Sequence, residues 1–435
     1  MNLYLPIEIL NREFHSKLLI AMESASRGMK VYMGRVKEYL LRDFFAPGIV
    51  LQKSITPSPS RLKELEFYKK NNFIVTSLDE EVGLVNFNTK YVKERFSNKS
   101  LELTHKVFTW GKFDYNNLVN KYKKHKKKFV KSGNPRVDFW RKDLEFFFNK
   151  KKFRFKNYIL FSFNFALRSQ KEFDEHLKFM KSSGYRKRGF TLSRSKKIRK
   201  DSFRIFEKFS QLIKALSNKT NLKIIVRPHP IDKIDNYILL EKLKNVEVLK
   251  KGNISDWIHN AKIVIHSGCA GGLEASVRGK PTISYIPFKS THGHQFSNKF
   301  SLKVKSLNQC LDIVEKITKN NLKLKKNNLK DFYNRAFNIT SYSPGYKTIV
   351  DEFEKLSKIQ KYNHENNDYL LNFKFKIRDI RSKFLKLNYG NRKFSFFDKK
   401  EALKTFEILK ESNPKFNKLK LNFIKKDIIQ IKKID

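Results

Sequence analysis

Arg227-Pro228-His229-Pro230 holds a guanidinium and an imidazole two positions apart, with prolines around the histidine. The prolines stop the backbone there from continuing as strand or helix. A bidentate fork beside a second donor is what a phosphate or diphosphate needs; a proline-rich surface turn is the plainer alternative. Further on, His266-Ser267-Gly268-Cys269-Ala270-Gly271-Gly272 leads into Leu273-Glu274-Ala275-Ser276-Val277-Arg278 and ends at Gly279-Lys280-Pro281. Small residues let the chain turn tightly, and a helix starting there presents N–H groups and its positive end to an anion. The spacing is neither a Walker loop nor the dinucleotide fingerprint. Glu274, in the first turn, complements the helix dipole; facing a ligand, it would accept from sugar hydroxyls.

Asp79-Glu80-Glu81 is a run of three carboxylates in a strongly basic chain. One of them could deprotonate an acceptor hydroxyl; as the plainer alternative they cap the next helix and fill its first turn. Asp79 suits the cap, so Glu80 is preferred as the base. Glu8, Arg12, Glu13 and His15 form a second polar cluster that could contact an acceptor or cap the first helix. His292 and His294 flank Gly293, but no carboxylate or cysteine completes a ligand spacing near them, so no metal site is expected.

These residues need a frame that gathers strand ends. Short apolar strands are expected at Leu3–Leu5, Val31–Met33, Phe73–Thr76, Val107–Thr109 and Phe129–Val130, with a helix over Arg12–Arg27 stopped by Gly28. A second run has strands at Tyr158–Phe163, Leu222–Val226, Val246–Leu249, Ile263–Ile265 and Thr282–Ile286, and a helix at Ser202–Leu216. Strands alternating with helices mean βαβ units and parallel sheets. Ligands of such sheets sit at the carboxyl ends of the strands. Arg186–Arg199 is very basic and short of apolar residues, and is expected as a loop. From Leu322 onward the pattern reads as Lys-rich amphipathic helix up to Asp435.

Composition narrows the partners. Lys and Arg number 93 against 42 Asp and Glu in 435 residues, a formal charge of +51. With 40 Phe the chain can still build large cores. Two cysteines, Cys269 and Cys310, exclude a disulfide scaffold and fit a reducing cytoplasm. No uncharged stretch approaches the ~20 residues of a membrane span, and the first residues have no basic leader before an apolar core. Most lysines read as solvated surface. The remaining expectation is attraction to anionic lipid or nucleotide-linked substrates; no nucleic-acid module is present, so no nucleic-acid partner is expected.

Arg-Pro-His-Pro, the Ser255-Asp256-Trp257 stretch, His-Ser-Gly-x-x-Gly-Gly-Leu-Glu-Ala and Gly-Lys-Pro together resemble the donor half of GT-B glycosyltransferases. The resemblance is nearest to bacterial surface-carbohydrate biosynthesis proteins. Capsule polysaccharide transferases, polysialyltransferases and CDP-glycerol glycerophosphotransferases are more distant. Leu5-Pro6-Ile7-Glu8 with Arg12-Glu13, Ser77 to Glu81, Thr109-Trp110-Gly111 and Ser132 to Arg136 extend it through the first half. It covers about residues 1–345. It implies that His229 and Ser267 hold donor phosphates. The distant relatives often have a second Ser or Thr where this chain has Gly268 and Cys269, and Val82 is inserted after Glu81.

The expected fold is α/β and GT-B-like: two Rossmann-type parallel-sheet domains facing a cleft, with a helical C-terminal tail. Residues 1–140 form the acceptor-side domain, 155–320 the donor-nucleotide domain and 321–435 the tail. Arg227, His229, Ser267, Gly268, Gly271, Gly272 and Glu274 are expected to bind the donor; Glu80, Asp79 and His229 to act in catalysis; Glu8, Arg12 and Glu13 to face the acceptor. The reaction expected is transfer of a sugar or sugar-phosphate unit from a nucleotide-activated sugar to a surface polysaccharide, without metal or cofactor. Nucleotide-sugar epimerisation and non-catalytic binding of glycan or lipid precursors are the alternatives. The protein is expected in the cytoplasm, with its Lys-rich tail on the anionic inner face of the membrane.

Overall fold

The computed structural model describes residues 1–36, 41, 44–80, 90–182, 191–291, 296–322, 329–340, 343–359, 371, 374 and 396–434. They fall into two units: one takes residues 1–80, 90–147 and 333–434, the other 148–332.

In the first unit β1 (Asn2–Pro6), β2 (Lys30–Gly34), β3 (Ile49–Gln52), β4 (Ile74–Leu78), β5 (Lys106–Thr109) and β6 (Phe129–Lys131) pair in parallel, in the order β2-β1-β3-β4-β5-β6. The order reverses between β1 and β3, the place where open α/β sheets bind ligands. Leu3, Tyr4 and Leu5 are fully buried, because both faces of a parallel sheet are covered. The helix Leu10–Ser26 lays Leu18, Leu19, Met22 and Ala25 on the sheet, and Gly28 ends it in the left-handed region at φ +89°.

In the second unit β7 (Tyr158–Ser162), β8 (Ile224–Arg227), β9 (Val246–Val248), β10 (Ala261–His266), β11 (Thr282–Tyr285) and β12 (Leu302–Val304) are parallel, in the order β12-β11-β10-β7-β8-β9. This is the Rossmann order, with its switch between β7 and β10. The long helix Leu192–Lys219 buries Ile205, Phe209, Leu212, Ile213 and Leu216 beside the sheet strands in one core.

The ten expected strands are present. β3 and β12 are additional; each is only three or four residues long. The expected loop at Arg186–Arg199 is helical from Leu192 onward, because its basic side chains are exposed on the first turns of a helix anchored further along. Residues 186–190 lie outside the described residues.

The C-terminal region holds the helices Gly345–Ile359 and Lys399–Lys410, and then departs from a helical pattern. β13 (Leu419–Lys425) and β14 (Ile428–Lys433) form a hairpin, and β14 pairs antiparallel with β2. Leu419 and Leu421 are buried while Lys420 is exposed: a period of two, which suits a half-covered strand. Residues 333–434 therefore complete the first unit. The helix Gly345–Ile359 buries Tyr346, Ile349, Val350, Phe353 and Leu356, and its Asp351 and Glu354 pair with Arg27 at 2.6 and 2.8 Å. Among the described residues no helix is long and apolar enough to cross a membrane.

Candidate functional site

β7 and β10 lie side by side, Ser162 opposite His266, and the chemistry of the second unit collects just past these two strand ends. Asn164 spans the switch. Its Oδ1 accepts from Ser267 Oγ at 2.7 Å and its Nδ2 donates to the Gly268 carbonyl at 3.2 Å. Gly268 stands at φ +99°, a region costly for other residues, and its N–H donates to His266 Nδ1 at 2.9 Å. His266 is fully buried and burial pushes its imidazole down to about 3. It is therefore neutral, with Nδ1 accepting and Nε2 donating to Ser301 Oγ at 2.8 Å.

The Gly-rich turn is fitted around these groups. A Cβ on Gly272 would run into the His266 ring, and one on Gly271 would crowd Ser162 Oγ and Ile254. Cys269 is the N-cap of the helix Ala270–Val277, its Sγ accepting from Gly272 N–H at 3.2 Å. Burial pushes the thiol up, so it caps as a neutral group. The thiol occupies the capping position that a hydroxyl fills elsewhere. Gly272 was expected to offer its N–H to a phosphate; that N–H is engaged by the cap, and the residue is glycine because the imidazole leaves no room. Gly272→Ala is accordingly expected to cost about 1–3 kcal/mol by overpacking. The cost should shrink in a His266→Ala background, and chemical denaturation of the single and double variants measures the coupling.

Arg227 does not extend as a phosphate fork. Nη1 donates to the carbonyls of Leu249 and Lys251 at 2.8 and 2.6 Å, and Nη2 to that of Gly252 at 2.8 Å. The guanidinium lies over the Trp257 ring, and burial lowers its pKa to about 10. It clamps the loop between β9 and the helix Ile254–Asn260. Glu274 is likewise directed inward: it is buried and pairs with Arg278 at 3.2 Å, which also donates to the Ser255 carbonyl. No sugar hydroxyl is needed to explain it. His229 is only half-buried, and its Nδ1 accepts from Ile231 N–H at 3.4 Å, which puts the ring proton on Nε2. Asp232, three residues on, fixes this corner by accepting from Leu167 N–H and the Tyr237 hydroxyl.

In the first unit the switch lies between the ends of β1 and β3, where Glu8 pairs with Lys53. Glu13 is fully buried and caps the helix Leu10–Ser26 from within, accepting from the N–H groups of Glu8 and Ile9 at 3.1 and 3.2 Å. Arg12 pairs with Glu13 at 3.0 Å. Desolvation, with the nearby Glu80 charge, raises the Glu13 pKa. Of the three residues expected to face an acceptor, Arg12 and Glu13 engage each other and the helix end, and Glu8 pairs with Lys53. His15 packs against Phe139 and Phe147.

The acidic run divides clearly. Asp79 accepts from Arg95 with both oxygens, at 2.8 and 2.9 Å, and so is an ion-pair partner; the residues it was expected to cap lie outside the described residues. Glu80 is 3% exposed, its N–H donating to the Lys53 carbonyl and its carbonyl accepting from Arg136 at 3.3 Å. Its side chain stands 4.0 Å from the Lys17 ammonium, which is fully buried in the middle of the first helix. Glu80 Oε2 and Lys17 Nζ make no hydrogen bond among the described residues. Buried polar atoms are nearly always bonded, so such a pair marks strain or chemistry. Glu81, His292 and His294 lie outside the described residues.

Lys17, Asn164 and the capping role of Cys269 were not anticipated. Asn164 follows directly on an expected strand, which is the one signal for it; Lys17 has none.

No family model and no curated protein matches this chain. Among solved structures it is similar to a UDP-N-acetylglucosamine 2-epimerase, with a TM-score of 0.50 at 11% identity over 84% of this chain and 98% of that one. It is also similar to the S. aureus MnaA–UDP structure, at 0.48 and 12% identity over 84% and 99% of the two chains. The wall teichoic acid polymerase TagF gives 0.49 and 11% over 83% and 90%. The likeness to the first of these is one of fold: two parallel α/β sheets of the GT-B type.

Proposed function

We propose that this protein is a GT-B-type enzyme that moves a sugar or sugar-phosphate unit from a nucleotide-activated donor to a glycan acceptor. The observation that carries the reading is the meeting of Asn164 and Ser267 over the β7–β10 switch, beside the turn into the helix Ala270–Val277. That is where parallel sheets bind nucleotides and where a helix start favours anions. His229, at the end of the neighbouring strand β8, supplies an imidazole whose proton sits on Nε2. It donates to the leaving phosphate, while Arg227 acts as a positioning residue that holds the loop after β9. Donors fixed in advance stabilise the charge that grows on the leaving group.

In the first unit Glu80 takes the proton of the acceptor hydroxyl. The acceptor oxygen forms its bond to the transferred unit as the bond to the leaving phosphate oxygen breaks, and that oxygen keeps the electron pair. The nucleotide leaves with its phosphate.

Calorimetric titration with CMP, CDP, UDP and GDP tests the donor half. His229→Ala should weaken the preferred nucleotide about 10–150-fold, the equivalent of ~1.5–3 kcal/mol for a hydrogen bond to a charged group. Normal nucleotide affinity in that variant, or no response of the wild type to any of the four, overturns the assignment. Nucleotide release that requires an acceptor marks a transferase. A sugar altered without an acceptor marks an epimerase instead.

A further inference from the structure

The first half of the helix Leu192–Lys219 does not behave like its second half. From Leu192 to Arg204 only Ser195, Asp201 and Ser202 are buried. Arg194, Lys196, Lys197, Lys200 and Arg204 are exposed to solvent in part or in full, and so are Leu192 and Phe203, at 43% and 40%. The one acid in this stretch, Asp201, is turned inward and accepts from Thr291 N–H at 2.7 Å. No ion pair joins Lys196, Lys197 or Lys200 to an acid among the described residues.

The preceding helix, Gln170–Ser182, is packed against this one through Arg199. Its Nε donates to the Arg168 carbonyl at 3.1 Å, and its guanidinium lies over both Phe173 and Phe203. The exposed end of Gln170–Ser182 adds Lys178 and Lys181, with Phe179 between them 55% exposed. Phe179, Leu192 and Phe203 thus expose 40–55% of their surface among these cations, and apolar surface rimmed by charge marks a face that meets another phase.

We propose that this helical pair docks the second unit on an anionic lipid bilayer, Phe179, Leu192 and Phe203 entering the headgroup boundary and the surrounding lysines and arginines meeting lipid phosphates. Basic residues on the polar side and Phe and Leu beside them are the pattern of interfacial helices. The charge complements an anionic leaflet, and the apolar side chains distinguish lipid from a soluble polyanion. The C-terminal helix Gly345–Ile359 is unsuited to this task, since its apolar stripe is buried in the first unit and Asp351, Glu352 and Glu354 offset its three lysines. The proposal does not depend on any nucleotide chemistry.

Sedimentation with vesicles of phosphatidylcholine plus phosphatidylglycerol, against phosphatidylcholine alone, tests it on the full chain. The wild type should bind only the anionic vesicles. Lys196→Glu, Lys197→Glu and Lys200→Glu combined should weaken binding about 10²-fold or more, at roughly a factor of five for each basic residue removed. Phe179→Ser with Leu192→Ser should abolish the binding that survives raised salt, while circular dichroism and nucleotide affinity stay unchanged. Absence of vesicle binding overturns the proposal, as does binding indifferent to the three lysines. Binding that ignores both apolar substitutions, with equal affinity for a short DNA duplex, marks a general polyanion site and overturns it too.

Discussion

Glu80→Gln should lower turnover about 10²–10⁴-fold while nucleotide affinity stays where it is. The substitution keeps the size and the backbone anchors of the residue and removes only its capacity to take a proton. Asp79 is the natural rival, but both its oxygens are held by Arg95, and a carboxylate so committed is a poor base. Glu80 has an oxygen with no hydrogen bond among the described residues and a buried cation at 4.0 Å. Lys17→Met provides the second measurement. It leaves the buried Glu80 carboxylate without the cation at 4.0 Å and should lower stability, as chemical denaturation would show. Asp79→Asn should instead lower stability by opening the pair with Arg95. A fully active Glu80→Gln enzyme would place the base elsewhere.

Arg227→Met should destabilise the second unit by about 3 kcal/mol, because two half-buried carbonyls lose their donor at about 1–3 kcal/mol each. Three carbonyls receive the guanidinium; that of Lys251 keeps a second donor in Trp257 at 3.1 Å, and those of Leu249 and Gly252 lose theirs. For a unit of this size the loss corresponds to roughly 6–12 °C in the midpoint of thermal unfolding. Arg227→Lys should recover part of it, since an ammonium reaches one carbonyl but not three in a fixed fork. Calorimetry on both variants, with nucleotide titration below the transition, separates two roles. Should Arg227→Lys fold with native stability and yet lose nucleotide, the guanidinium touches phosphate and the clamp is the wrong description.

Much of the frame could be read from the chain. Apolar runs such as Leu3–Leu5 and Tyr158–Phe163 are buried on both faces of parallel sheets, so their composition alone announces them. In the hairpin Leu419–Lys433 only Leu419 to Leu421 alternate buried and exposed, Ile428 to Ile431 are all buried, and the lysines at both ends give the stretch the look of an amphipathic helix. The site was legible as residue types and less so as roles. Arg227 and Gly272 stand where expected, yet their partners come from 22–25 residues onward and from a histidine whose ring orientation no local pattern encodes. Lys17 was invisible because a lysine within a helix reads as surface. Only the fold, which brings that helix beside Glu80 just past β4, puts it in the interior.

The antiparallel pairing of β14 with β2 has a consequence for how the molecule is made. All six strands of the second unit lie between residues 148 and 332, and they can find one another while the rest of the chain is still being synthesised. The first unit cannot: its sheet acquires an outer pair of strands only after the whole second unit has emerged. Until then β2 offers an unpaired edge to any neighbouring chain. Such distant pairing is slow, since a long loop must close before the pairing is rewarded. The order of assembly therefore runs against the order of the sequence, with the inserted unit complete first and the N-terminal sheet sealed last.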